Sequence, residues 1–128
     1  MLDEKAIAII HAKNFALLAT VSNDGSPQLT PTWVDTDGTN VLINTAMGRV
    51  KQKNTARDAR VAVVVLDSGN PYSYLSVKGR VVEQRTAGAK EHIDKLAKKY
   101  RGVERYDMMA PGEARVMLVI RPEKVHVQ

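Results

Sequence analysis

Apolar residues recur along the chain with two periods, and each change of period marks the edge of an element. Asp3 can cap a helix whose Ile7, Ile9 and Ile10 cluster on one side and which ends near Asn14. Phe15-Ala16-Leu17-Leu18-Ala19-Thr20-Val21 is a nearly unbroken apolar run, the pattern of a buried strand. Asn23-Asp24-Gly25-Ser26 turns the chain into a second strand over Gln28 to Val34, interrupted by Pro31, and the pair reads as a β-hairpin. A tight turn at Asp37-Gly38 leads into a third strand over Thr39 to Asn44, completing a meander. A short helix is predicted over residues 47 to 57 and a fourth strand over Arg60 to Leu66. Ser68-Gly69-Asn70-Pro71 ends that strand, and Tyr72 to Arg85 forms a long fifth one with Gly79 inside it, where a bulge would let a sheet curl. Ile93, Leu96 and Ala97 give Thr86 to Tyr100 helical spacing, with lysines on the other faces. Gly102 to Gly112 has no period and reads as a loop, before an apolar strand over Arg115 to Val127.

The order is therefore α-β-β-β-α-β-β-α-β. Six strands joined mostly by hairpins, with short helical inserts, predict a small antiparallel barrel, mostly β, rather than a doubly wound parallel sheet. At 128 residues the chain is expected to form one domain over 1–128. That is small for enclosing a whole cofactor, so half of a shared site is expected.

Composition adds little until charge is placed on the elements. The 19 Lys and Arg against 14 Asp and Glu give a net charge of +5, which suggests an anionic partner but is modest for a nucleic-acid binder. Much of it sits where Val41-Leu42-Ile43 runs into Asn44-Thr45-Ala46-Met47-Gly48-Arg49-Val50-Lys51-Gln52-Lys53-Asn54. A buried strand that passes into a helix leaves the first helical N–H groups unpaired, where the helix dipole also favours an anion. Between Arg49 and Arg57 there are four basic side chains and no acidic one. A solvated helix face would show the same charges; Asn44, Thr45 and Asn54 are what a ligand site would add.

With no cysteine there is neither a disulfide nor a thiolate chemistry. The N-terminal residues lack the form of a signal peptide, and no apolar run approaches membrane length. A soluble cytoplasmic protein is the expectation. His11, His92 and His126 stand on different elements and form no recognisable metal or catalytic set; each is expected to be structural or solvated. Asp24, Asp35 and Asp37 are read as turn-capping residues rather than a carboxylate pair for acid–base work. No Walker loop, Gly-x-Gly-x-x-Gly fingerprint or Gly-x-Ser-x-Gly elbow occurs. An enzyme with no reactive group of its own usually leaves the chemistry to a cofactor.

Phe15 to Val21, Asp24-Gly25-Ser26-Pro27, Pro31-Thr32-Trp33-Val34, Asn44-Thr45 through Asn54, Arg57-Asp58-Ala59-Arg60-Val61-Ala62 and Tyr72 to Val81 together resemble the pyridoxamine 5′-phosphate oxidase-like split-barrel superfamily. Within it the sequence looks like the short reductases that use the deazaflavin coenzyme F420. The chain stops at Gln128, without the C-terminal substrate-binding extension expected of a pyridoxamine phosphate oxidase. The resemblance implies a six-stranded antiparallel split β-barrel of Greek-key type that forms homodimers, with the cofactor in a groove between two barrels. It implies that Thr45, Ala46, Arg49, Val50 and Lys51 hold the cofactor's phosphate, with Asn44 beside them and Asn54 supporting them. Pro31, Thr32 and Trp33 would face the ring system, and Tyr72 and Tyr74 would approach from the opposing side, from the second subunit, with either tyrosine a candidate proton donor.

The cofactor implied is coenzyme F420, with FMN as the alternative; Lys53, Arg57 and the Lys90 to Arg101 helix would favour the polyglutamate tail of F420. The implied reaction is hydride transfer between the deazaflavin and a small organic substrate. The alternatives are an FMN-dependent oxidoreductase of the same fold and a non-catalytic module that carries the cofactor or binds nucleic acid. An aromatic content of 5% offers few stacking platforms for the last.

Overall fold

The computed structural model describes residues 1–128. Its elements are α1 (Glu4–His11), β1 (Ala16–Val21), β2 (Pro27–Thr32), β3 (Asp35–Thr36), β4 (Val41–Ala46), α2 (Val50–Arg57), β5 (Arg60–Asp67), β6 (Asn70–Arg85), α3 (Ala89–Arg101) and β7 (Arg115–Val127). The strands form one sheet in the order β2-β1-β5-β6-β7-β4-β3, antiparallel at every pairing. β2 and β3 are its two edges, yet only Trp33 and Val34 lie between them in the chain. Three residue steps reach about 11 Å at most. The sheet therefore curls until its edges nearly meet, and the result is a split barrel.

The split corrects the expectation of a single strand over Gln28 to Val34, and it raises the strand count from six to seven. Thr32 is the last residue that pairs with β1, whereas Asp35 and Thr36 pair with β4 at the opposite edge. Val34 has no ladder partner for its N–H, which donates instead to the Tyr100 hydroxyl at 3.2 Å, while that hydroxyl donates to the Asn14 carbonyl. One tyrosine thus bridges the opening.

The barrel interior is filled by alternate residues of the strands, including Leu18, Val63, Val77, Leu118 and Ile120, and α1 closes one end with Ala6, Ile9 and Ile10. Asp3 caps α1 through a hydrogen bond from the Ala6 N–H at 2.8 Å, as its sequence predicts, and the helix ends at His11, short of Asn14. β4 is buried along its whole length because its inner face lines the barrel and its outer face lies under α3. Gly79 does what its position predicts: β6 and β7 shift register beside it, and a Cβ there would stand 2.2 Å from the Arg121 carbonyl oxygen.

Candidate functional site

The helix expected over 47 to 57 begins three residues late, at Val50. Gly48, at φ +90°, takes the chain through a turn that other residues rarely adopt. The first intrahelical bond of α2 runs from the Lys53 N–H to the Arg49 carbonyl at 3.0 Å, so the N–H groups of Val50, Lys51 and Gln52 have no acceptor within the helix. No side chain caps this end; Gln52 reaches back to accept from the Gly48 N–H at 2.9 Å. The buried side of α2 is Gln52, Asn54 and Thr55, with no apolar residue among them. Hydrogen bonds fasten it instead: Gln52 to Gln84 of β6 at 3.0 Å, Gln84 to Thr55 at 3.0 Å, and Asn54 to the Thr20 hydroxyl of β1 at 3.0 Å.

Above the start of α2 lies a cavity of about 360 Å³ at the barrel's split. Half of its lining is apolar or aromatic, namely Phe15, Pro31, Trp33, Ile93, Tyr106 and Met108, and the other half is polar or basic, namely Thr32, Asn44, Thr45, Arg49, Lys51 and Arg115. Trp33 lies flat on Tyr100, with centroids 5.2 Å apart and planes 4° from parallel, and meets the edge of Tyr106 at 6.1 Å. These contacts hold the indole in one orientation. The Thr45 hydroxyl is buried and has no hydrogen-bond partner in the protein, so the wall offers a polar group that a ligand could satisfy.

Three cations and one carboxylate set the field of the cavity. Glu113 accepts from Arg115 at 2.9 Å and from Arg49 at 3.2 Å. Burial would push its carboxyl up, but the hydrogen bonds and charges of Arg115 and then Arg49 hold it below the usual range. Lys51 forms no ion pair. Burial, followed by the like charges of Arg49 and Arg115, pushes its ammonium below the usual lysine range. A half-buried lysine that lacks a counter-charge, beside free helical N–H groups, is suited to a dianion.

Beneath the cavity a polar chain connects four elements and the loop before β7. Lys95 of α3 lies 3.3 Å from Asp35, whose carboxylate faces His92 Nε2 at 2.9 Å; His92 Nδ1 faces Asn44 Nδ2 at 3.0 Å, and Asn44 Oδ1 accepts from Arg115 Nε at 3.0 Å. Asp35 is buried in β3 rather than capping a turn, which corrects its sequence reading; Asp24 and Asp37 do cap turns. Burial would raise the Asp35 carboxyl, but the bonds from His92 and the Thr36 N–H, with the charge of Lys95, bring it down to about 2.

Of the residues singled out in the sequence, Pro31, Thr32, Trp33, Asn44, Thr45, Arg49 and Lys51 come together at the cavity. Ala46 is buried in β4 opposite Arg115, Val50 is exposed at the helix start, and Asn54 is on the buried side of α2. Tyr72 is 82% exposed and Tyr74 packs on His126 near the start of β6, so neither reaches this chain's cavity. Arg57 donates to the Val21 carbonyl, and the α3 cations Lys90, Lys95, Lys98 and Arg101 pair with Asp94, Asp35, Glu104 and Asp107. Phe15, Ile93, Glu113 and Arg115 carried no site reading in the sequence. Arg115 had one signal, a charge directly before the apolar run Val116 to Ile120.

Fold and cavity define a class: a split antiparallel barrel with a pocket at its seam lined by three basic residues. The chain belongs to the pyridoxamine 5′-phosphate oxidase family, whose profile matches residues 2–128. Among solved structures it is similar to an F420 reductase, at 30% identity, 93% coverage of this chain and 94% of that one, and a TM-score of 0.82. General stress protein 26 of Bacillus anthracis is similar at 18% identity, with 97% and 91% coverage and a TM-score of 0.74. A conserved hypothetical protein of Mycobacterium tuberculosis matches at 22% identity, with 99% and 84% coverage and a TM-score of 0.70. The last two likenesses concern the fold alone. Family and neighbours support an oxidoreductase of the flavin or deazaflavin split-barrel type.

Proposed function

We propose that this protein is an F420-dependent reductase that transfers a hydride between the deazaflavin and a small organic substrate. The carrying observation is that Thr45, whose hydroxyl has no partner, and Lys51, whose ammonium has no counter-charge, line one cavity at the start of α2, where the Lys51 N–H also lacks a helical acceptor. These groups fit a phosphate: the hydroxyl and N–H groups donate to its oxygens, and Lys51 with Arg49 neutralises it. Ala46 and Val50 shape the turn that presents them, and Asn54 anchors α2 to β1.

The chemistry supplied by the bound cofactor is hydride transfer at the deazaflavin C5 to an electrophilic carbon, such as that of a conjugated alkene or imine. Trp33, fixed by Tyr100, gives the ring system a flat wall, and Pro31 and Thr32 present strand backbone to it. Phe15, Ile93 and Met108 add apolar surface to the lining against which the ring system can pack. Phe15 and Met108, which line the cavity, are exposed apolar residues, which supports a second copy closing over it. Tyr72 and Tyr74 would donate a proton only from that second copy. The ion pairs along α3 leave Lys53, which forms none, as a better partner for a glutamate tail.

The test is titration of the purified protein with oxidised F420 and, separately, with FMN, following quenching of its only tryptophan, Trp33. Tight quenching by F420 and weak quenching by FMN is the expected result. The reverse preference would move the protein to the FMN-dependent oxidoreductases, and no response to either would overturn the assignment of the cavity.

A further inference from the structure

His92 is buried under the cavity floor with both ring nitrogens engaged, and its neighbours determine which one carries the proton. The Asn44 amide is oriented by two partners other than the ring. Its Oδ1 lies 3.0 Å from Arg115 Nε, a group that can only donate, and its Nδ2 lies 2.9 Å from the Ala89 carbonyl, which can only accept. Nδ2 therefore also faces His92 Nδ1, so that nitrogen has to accept. The proton belongs on Nε2, where it is donated to Asp35 at 2.9 Å. A neutral imidazole completes the chain.

We propose that Asn44 and His92 are positioning residues that aim the Arg115 guanidinium at the cavity, and that protonation of His92 releases it, so that the hold on an anionic ligand weakens as pH falls. A proton taken from solvent onto Nδ1 sets an N–H against the Asn44 NH₂. Rotating the amide by half a turn restores an acceptor to the ring, but it sets the NH₂ against Arg115 Nε–H and Oδ1 against the Ala89 carbonyl. Either arrangement breaks the chain. Charged groups surround the ring on both sides: Asp35 of β3, with Lys95 and Lys99 beyond its carboxylate, and Arg115 with Glu113 beyond Asn44. Arg115 keeps its bond to Glu113 and the Tyr106 ring over its guanidinium at 5.0 Å, so its release is a reorientation.

The ligand half of this proposal rests on the anionic cofactor proposed above; the positioning half does not. Nitrogen-15 spectra of the whole protein, recorded from pH 8 to pH 5, test the latter without a ligand. At pH 8, His92 Nδ1 should resonate as an unprotonated nitrogen and Nε2 as a protonated one. Wherever the His92 ring signals change with pH, the Arg115 Nε–H signal should change with them. In His92→Gln, whose amide can accept from Asn44 and donate to Asp35, the Arg115 signal should stay constant.

In parallel, F420 affinity followed by Trp33 quenching should fall about tenfold from pH 8 to pH 5 in the natural protein, the size of one lost hydrogen bond to a charged group. In His92→Gln it should change less than about twofold. A proton on Nδ1 at pH 8, a His92 that stays neutral throughout, an Arg115 signal indifferent to His92, or equal pH dependence in both proteins would each overturn the proposal. Coupled His92 and Arg115 signals without any F420 binding would overturn the cofactor reading and uphold the positioning role.

Discussion

The barrel interior and the polar layer beneath α3 are both buried, but they are held together in different ways. Inside the barrel, Leu18, Val63, Val77, Leu118 and Ile120 share many nondirectional contacts, and a lost methyl group is felt locally. Under α3, Asp35, His92, Asn44, Arg115 and Glu113 form a chain in which each donor has a particular acceptor, and removing one strands the next. The first arrangement fixes the shape of the barrel, and the second carries orientation from α3 to the cavity. A change in one should therefore leave the other's signature intact.

The largest effects separate the two regions by paired substitutions. Leu18→Ala should cost about 3 kcal/mol of stability and lower Tm by about 10 °C, with ligand affinity unchanged once the protein is folded. Asn44→Leu leaves His92 Nδ1, the Ala89 carbonyl and Arg115 Nε without partners and should also cost about 3 kcal/mol. Unlike Leu18→Ala, it should weaken F420 binding as well; thermal melts with Trp33 quenching at a temperature where both variants are folded would distinguish them. Equal affinity in the two variants would break the comparison.

Next in size is Lys51→Ala, which should weaken F420 binding by about 10 to 100-fold with the far-ultraviolet circular dichroism unaltered. Unchanged binding would dismiss the phosphate assignment. Asp35→Asn tests the outer end of the polar chain. Asp35 titrates at about 2 in the folded protein and near ~3.9 when unfolded, so its contribution is fully present above the unfolded value and is lost as pH falls through the folded one. Urea unfolding should show the variant about 2 kcal/mol less stable at pH 7, with the gap closing between about pH 4 and pH 2.

The smallest effect has the opposite sign. Burial and like charge depress the pKa of Lys51, so its charge costs stability at neutral pH that returns only as pH rises towards its ordinary range. Lys51→Met should therefore raise the Tm of the ligand-free protein by about 1–3 °C while weakening ligand binding. A fall in Tm would show that Lys51 stabilises the fold through contacts other than charge.

Local signals in the chain determined a good deal. Asp3 at the start of α1, the Asn23 to Ser26 turn, the apolar runs of β1 and β5 and the bulge at Gly79 each depend on near neighbours or a single missing Cβ, and so were legible in one dimension. The basic stretch after Ile43 likewise announced a helix start with an excess of positive charge. What the sequence could not show is that Thr32 and Asp35 belong to opposite edges of one sheet, because that depends on the curl accumulated over all seven strands. Tertiary structure alone brought Asp35 to His92 across 57 positions and Asn44 to Arg115 across 71. Hydrogen-bond direction has no periodicity along a chain, and these residues acquire their chemistry only from the partners that folding places against them.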